Sequence, residues 1–178
     1  MFLNKEDTAV LVIDIQDRLF QVMNRKEDLL KDTVKLLKGC QILNLPIIAT
    51  EQYPKGLGPT LAEIKEFLDE KQIFSKMSFS GYPVVETCLQ TLGRKSIILL
   101  GIEAHICVLQ TCRDLLKNGY QVFVPMECVS SRSSINAHNA LELMRKMGAW
   151  VTNIEAILFD LLKTAKAPEF KEIARLIK

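Results

Sequence analysis

Ser96-Ile97-Ile98-Leu99-Leu100-Gly101-Ile102-Glu103-Ala104-His105-Ile106-Cys107-Val108 reads as a buried strand that runs through a glycine turn into a helix. Its apolar run lacks in/out alternation, as does a parallel strand covered on both faces. Working outward, similar runs recur at Ala9-Val10-Leu11-Val12-Ile13, Pro46-Ile47-Ile48-Ala49-Thr50 and Gln72-Ile73-Phe74. Two more follow, at Gln121-Val122-Phe123-Val124 and Ala149-Trp150-Val151-Thr152. Between them apolar residues return at helical intervals. Leu29, Leu30, Val34, Leu37, Ile42 and Leu43 do so, then Val84, Val85, Cys88, Leu89 and Leu92, then Val108, Leu109, Cys112, Leu115 and Leu116. Gly93, Asn118-Gly119 and Gly148 stop three helices, Asn153 can cap one over 154–162, and Pro168 can open a terminal one. About six strands alternating with helices predict an α/β fold in one domain over residues 1–178. The expected form is a three-layer α/β/α, Rossmann-like, with a mostly parallel sheet of order 3-2-1-4-5-6.

The chain has 178 residues, 48% hydrophobic and 25% charged, the balance of an ordinary globular protein. A formal net charge of +2 without a dense Lys/Arg block points away from a nucleic-acid partner. No apolar run approaches the roughly 18–20 residues that span a bilayer, so no membrane partner is expected. Asn4, Lys5, Glu6 and Asp7 precede a first apolar run of only strand length, so no signal peptide is expected. Cys40, Cys88, Cys107, Cys112 and Cys128 are odd in number and show no C-x-x-C spacing. Reduced thiols in a cytoplasmic setting are the expectation.

In open parallel sheets, residues beyond the strand ends converge on a crevice at the topological switch. Cys107 follows the fourth strand, at the start of a helix whose N–H groups can favour a thiolate or hold an oxyanion. Its alternative is an ordinary buried thiol. Asp14 follows the first strand, where an acid can act on the crevice or merely cap a helix. Lys76 follows the third, where an amine can do the same or simply reach water. A thiol, an acid and an amine together make a nucleophile, a base and a charge that tunes both.

On these residues the chain resembles the isochorismatase-like cysteine hydrolases, which include nicotinamidases and N-carbamoylsarcosine amidases. The carrying stretches are Val12-Ile13-Asp14-Ile15-Gln16, Thr50-Glu51-Gln52-Tyr53-Pro54-Lys55-Gly56-Leu57-Gly58, Phe74-Ser75-Lys76-Met77-Ser78-Phe79, Gly101 through Val108, and Cys128-Val129-Ser130-Ser131-Arg132. The second stretch looks closest to the isochorismatase-domain-containing branch. The resemblance implies a catalytic triad of Asp14, Lys76 and Cys107, and a cis peptide at Ile102–Glu103. It implies an oxyanion hole from the N–H groups of Glu103 or Ala104 and of Cys107. The reaction it implies is hydrolysis of a small amide, ureido or carbamoyl C–N bond through a thioester.

Nicotinamidases of this kind carry a metal on an Asp-x-His pair after the second strand. Here that stretch is Thr50-Glu51-Gln52-Tyr53, without histidine, so neither metal nor other cofactor is expected. Gln16, Phe20, Tyr53, Leu57, Phe79 and His105 are candidate pocket residues, with Gln16 serving substrate or orienting a loop. His105 is a turn residue, a pocket wall or a proton carrier. His138 is expected at a surface or in packing, and Phe74 in a pocket or the core. A homo-oligomer is expected by the same resemblance, with Ile157, Leu158, Leu161 and Leu162 offering a surface or filling the core. The alternative to an enzyme is a catalytically silent or redox-sensing scaffold that keeps the hydrolase fold.

Overall fold

Strand β1 (Thr8–Ile13) is buried along its whole length in the computed structural model, which describes residues 3–178. Its side chains leave alternately toward two cores, so the apolar run is used on both faces. β1 pairs with β2 (Ile47–Gln52) on one side and β4 (Ser96–Ile102) on the other. β3 (Ile73–Lys76) lies outside β2, and β5 (Gln121–Pro125) and then β7 (Trp150–Thr152) lie outside β4. The order is β3-β2-β1-β4-β5-β7, with every pairing parallel.

The sheet has seven strands rather than six. Along β4, β5 reaches only Ser96, Ile97 and Ile98, leaving the far end of β4 open on that side. Gly101 and Ile102 there pair with Val129 and Ser130, the two-residue strand β6. A strand so short has no periodicity to read.

Among the described residues seven α-helices lie between strands, α1 (Asp17–Phe20), α2 (Lys26–Ile42), α3 (Pro54–Leu57), α4 (Ala62–Lys65), α5 (Tyr82–Leu92), α6 (Leu109–Lys117) and α7 (Ser134–Lys146), and two more, α8 (Ile154–Leu162) and α9 (Phe170–Leu176), follow β7. Leu36 and Leu37 of α2, Ile157 and Leu158 of α8, and Ile173 of α9 pack on Val10, Val12, Ile98 and Leu100. Val85 and Leu89 of α5, Cys112 and Leu115 of α6, and Met144 of α7 pack on Leu11, Ile13, Ile97 and Leu99. Each large side chain so buried contributes about 1.5–3 kcal/mol. Ile157, Leu158, Leu161 and Leu162 all belong to the first core and offer no assembly surface. Asn153 caps α8 by accepting from the Ala156 N–H at 2.8 Å.

Gly101 governs how β1 and β4 end. It pairs with Ile13 at φ +124°, and a Cβ there would overlap the Ile13 backbone. Only glycine permits this approach. It brings the residue after β1 beside the turn that leaves β4.

Candidate active site

Asp14 leaves β1 with φ +52°, a left-handed conformation that aspartate tolerates better than a branched residue. Its Oδ1 accepts from Thr50 Oγ1 at 2.7 Å, and its Oδ2 lies 2.6 Å from Lys76 Nζ. Both charged side chains are fully buried. Lys76 ends β3, and its Nζ also donates to Gln52 Oε1 at 2.7 Å, Phe79 O at 3.0 Å and Ser78 O at 3.1 Å. Two of these acceptors belong to the loop after β3, so the ammonium folds that loop back over the sheet edge. A buried ion pair persists when its remaining hydrogen-bonding capacity is met, as here.

Cys107 is 6% exposed, and the charges of Asp14 and Lys76 both act on its thiol. Burial, then the Asp14 charge, outweigh the Lys76 cation and push the thiol up to about 12. Burial therefore favours the thiol form of the sulfur, against the pull of the Lys76 cation. The turn carrying it is not the first turn of an α-helix. Residues Ala104–Val108 wind as a wider π turn, with Val108 N–H donating to Glu103 O at 3.2 Å, and α6 begins at Leu109. Thr111 Oγ1 donates to Cys107 O at 2.6 Å and accepts from Gly81 N–H at 2.8 Å, tying the turn to the start of α5. The Ile102–Glu103 peptide bond is cis.

A pocket of about 120 Å³ opens above the thiol, lined by Leu19, Gln52, Leu57, Phe79, Glu103, Ile106 and Cys107. Two expected pocket residues, Leu57 and Phe79, are among them. Gln16 is fully buried elsewhere, donating to Gln52 O and Gly58 O and accepting from Gln52 N–H at 2.7 Å. Its amide thus holds the loop after β2, the orienting role. Phe20 packs in the core, because one turn of α1 faces it inward. Tyr53 is 48% exposed and is not among the residues that line this pocket. His105 points toward β6, its Nδ1 2.9 Å from Ser131 Oγ. Phe74 packs against the second core, and His138 is exposed on α7.

Sequence reasoning missed Thr50, Gln52, Leu19 and Ile106. Strand alternation could have found two of them, since Thr50 and Gln52 share one side of β2, toward Asp14 and Lys76, while Glu51 turns away. Glu51 Oε1 accepts from both Thr60 N–H, at 2.6 Å, and Thr60 Oγ1, at 2.8 Å. Another unanticipated contact is Arg132, whose N–H and Nε donate to Glu103 Oε2 at 3.0 and 3.1 Å.

A doubly wound parallel sheet with acid, amine and thiol packed at its switch point defines a class of α/β domain with a crevice cysteine. Residues 8–156 match the family model described as the isochorismatase domain. The secreted isochorismatase effector Isc1 of Phytophthora sojae is 40% identical over 177 residues, covering 96% of this chain and 84% of that one. Isochorismatase domain-containing protein 2 of Xenopus laevis is 37% identical, covering 98% and 85%. Among solved structures, one described as the MAR1 ribonuclease of Caenorhabditis elegans superposes with a TM-score of 0.93 at 39% identity, covering 99% and 92%. The Escherichia coli YcaC product, described as an octameric hydrolase of unknown specificity, shares the fold with a TM-score of 0.93 at 21% identity, covering 99% and 89%. The chain belongs to the isochorismatase family and has its hydrolase fold. Among the described residues no helix is long and apolar enough to cross a membrane.

Proposed function

We propose that the protein is a cysteine hydrolase that cleaves the C–N bond of a small amide, ureido or carbamoyl compound. One observation carries this reading: Cys107 lines a small pocket, and the buried Asp14–Lys76 ion pair acts on its thiol from below the surface. A resting thiol beside a carboxylate suits concerted activation. Cys107 Sγ attacks the carbonyl carbon while Asp14 takes the thiol proton. The carbonyl oxygen becomes an oxyanion held by the N–H groups of Glu103 or Ala104 and of Cys107. Asp14 then gives its proton to the departing nitrogen as the C–N bond breaks, leaving a thioester. Water attacks the thioester, losing a proton to Asp14, and the acid leaves as the proton returns to sulfur. Lys76 remains a cation throughout and offsets the negative charge that passes between sulfur and carboxylate. Every group in this sequence is a side chain, a backbone N–H or water, so no cofactor is required.

The redox-sensing alternative needs an accessible thiol of low pKa. Cys107 is buried and pushed the other way, and this favours the hydrolase. The five cysteines are free, which suits a reducing compartment such as the cytoplasm. A homo-oligomer belongs to the same proposal, and light scattering reads it directly. The test is ammonia release from a panel of small amides, ureides and carbamoyl compounds. Turnover by the wild type that Cys107→Ala abolishes supports the reading. Silence across the panel, or equal release by the variant, refutes it.

A further inference from the structure

The pocket above Cys107 is small, and its wall is almost wholly apolar. Leu19, Leu57, Phe79 and Ile106 supply that wall, each from the segment that follows a different strand. The polar side chains beside them are committed elsewhere. Gln52 Oε1 accepts from Lys76 Nζ at 2.7 Å, and its Nε2 donates to Met77 O at 2.9 Å. Glu103 Oε2 accepts twice from the exposed Arg132, at 3.0 and 3.1 Å. The wall is also pinned through its backbone. On either side of Leu57, Gly56 O accepts from Arg18 Nη1 at 2.8 Å and Gly58 O from Gln16 Nε2 at 2.6 Å. Phe79 O accepts from Lys76 Nζ at 3.0 Å. The size of the space is therefore set by the fold. A volume of about 120 Å³ is about four times a water's share of the liquid, room for about three or four carbon-sized groups.

In the reaction proposed above, the leaving nitrogen takes its proton from Asp14 and so faces the buried ion pair. The other substituent of the carbonyl is left to the apolar pocket. We propose that this substituent is a short uncharged aliphatic chain, of about two to four carbons beyond the carbonyl, set by Leu19, Leu57, Phe79 and Ile106. The substrate class is then small aliphatic carboxamides, in preference to ureides, carbamoyl compounds and amides that bear a carboxylate or phosphate. This rests on reading Cys107 as the nucleophile. Each methylene that enters such a pocket leaves water, which favours binding. The second nitrogen of a ureide, or a charged group, enters with no partner to meet it, and an unpaired buried N–H or charge is costly.

The test needs no turnover. An aldehyde and the Cys107 thiol form a thiohemiacetal: Sγ bonds to the carbonyl carbon, the C=O π bond opens, and the thiol proton passes to oxygen. Straight-chain aldehydes from acetaldehyde to heptanal compete with iodoacetamide for Cys107, and labelling is read by peptide mass spectrometry. Glyoxylate and isobutyraldehyde, of one shape but different charge, are run beside them. Each binding constant is divided by that of mercaptoethanol with the same aldehyde, which removes differences in hydration and reactivity. The normalised constants are expected to rise about fourfold per carbon up to about pentanal, and then to level off or fall. Isobutyraldehyde should exceed glyoxylate at least about tenfold. Leu57→Ala enlarges the pocket and should carry the rise about one or two carbons further. A flat series, glyoxylate equal to isobutyraldehyde, or an unmoved limit in Leu57→Ala overturns the proposal. Should that variant not fold, the wild-type series decides alone. Silence across the amide panel with the aldehyde series as expected refutes the hydrolase and leaves the pocket's selectivity. Turnover of a ureide or of succinamic acid as fast as butyramide, abolished by Cys107→Ala, does the reverse.

Discussion

Replacing Asp14 with asparagine should stop hydrolysis and at the same time make Cys107 more reactive toward an alkylating agent. The thiol is held at about 12 by burial first and by the Asp14 charge second, against the pull of Lys76. At pH 8 that leaves about one sulfur in ten thousand ionised. Asparagine removes the opposing charge and leaves the cation facing the sulfur. A unit charge near 4 Å is worth about 4 kcal/mol at an effective dielectric of 20, close to three pKa units as an upper bound. The nucleophilicity lost as the pKa falls returns roughly half of the gain. A rise of about ten- to a hundredfold in alkylation at pH 8 is therefore expected. Amide turnover should fall by about a hundred- to ten-thousandfold, because the proton acceptor is gone. The assay is iodoacetamide labelling of Cys107 by mass spectrometry, alongside ammonia release. In the wild type, labelling should climb about tenfold per pH unit from pH 7 to 10 without a plateau. A plateau near neutrality, or Asp14→Asn labelling no faster than wild type, would refute the reasoning.

Lys76→Met strands the buried Asp14 carboxylate and the Gln52, Ser78 and Phe79 oxygens. It should cost about 3–5 kcal/mol in urea unfolding, and adding Asp14→Asn should recover part of it. Gly101→Ala forces a Cβ into the Ile13 backbone at a positive φ and should yield little folded protein by circular dichroism, with a loss above about 4 kcal/mol. Alkali should destabilise the protein. Burial pushes Cys40, Cys107 and Cys112 up to about 12, above the unfolded thiol, so only the unfolded chain loses these protons between about pH 9 and 12. Their contribution is whole below pH 9 and shrinks as pH rises, by about 1 kcal/mol per thiol at pH 10, read as a fall in the urea midpoint.

The strand order was legible because every central strand is apolar on both faces, a pattern that parallel sheets with helices on both sides impose. Acid, amine and thiol were legible because each lies within a few residues of the end of an apolar run, and strand ends in such a sheet share one edge. Side-chain direction beyond the strands was not. Phe20 and Tyr53 have the chemistry of a pocket wall, but a single helical turn faces one into the core and a left-handed backbone leaves the other exposed. Gln16 and Gln52 could have exchanged roles on composition alone; the loop path decides that Gln16 holds backbone while Gln52 holds Lys76. The protonation state of Cys107 depends on burial and on distance to Asp14, and neither is a property of local sequence.

The most direct test of the central claim, that Cys107 attacks substrate, is acid quenching during turnover of an amide that releases ammonia, followed by peptide mass spectrometry. A Cys107 peptide heavier by the acyl fragment, cleared by hydroxylamine and absent from Cys107→Ala, is the predicted result. Ammonia release with no adduct, and undiminished in Cys107→Ala, would contradict it.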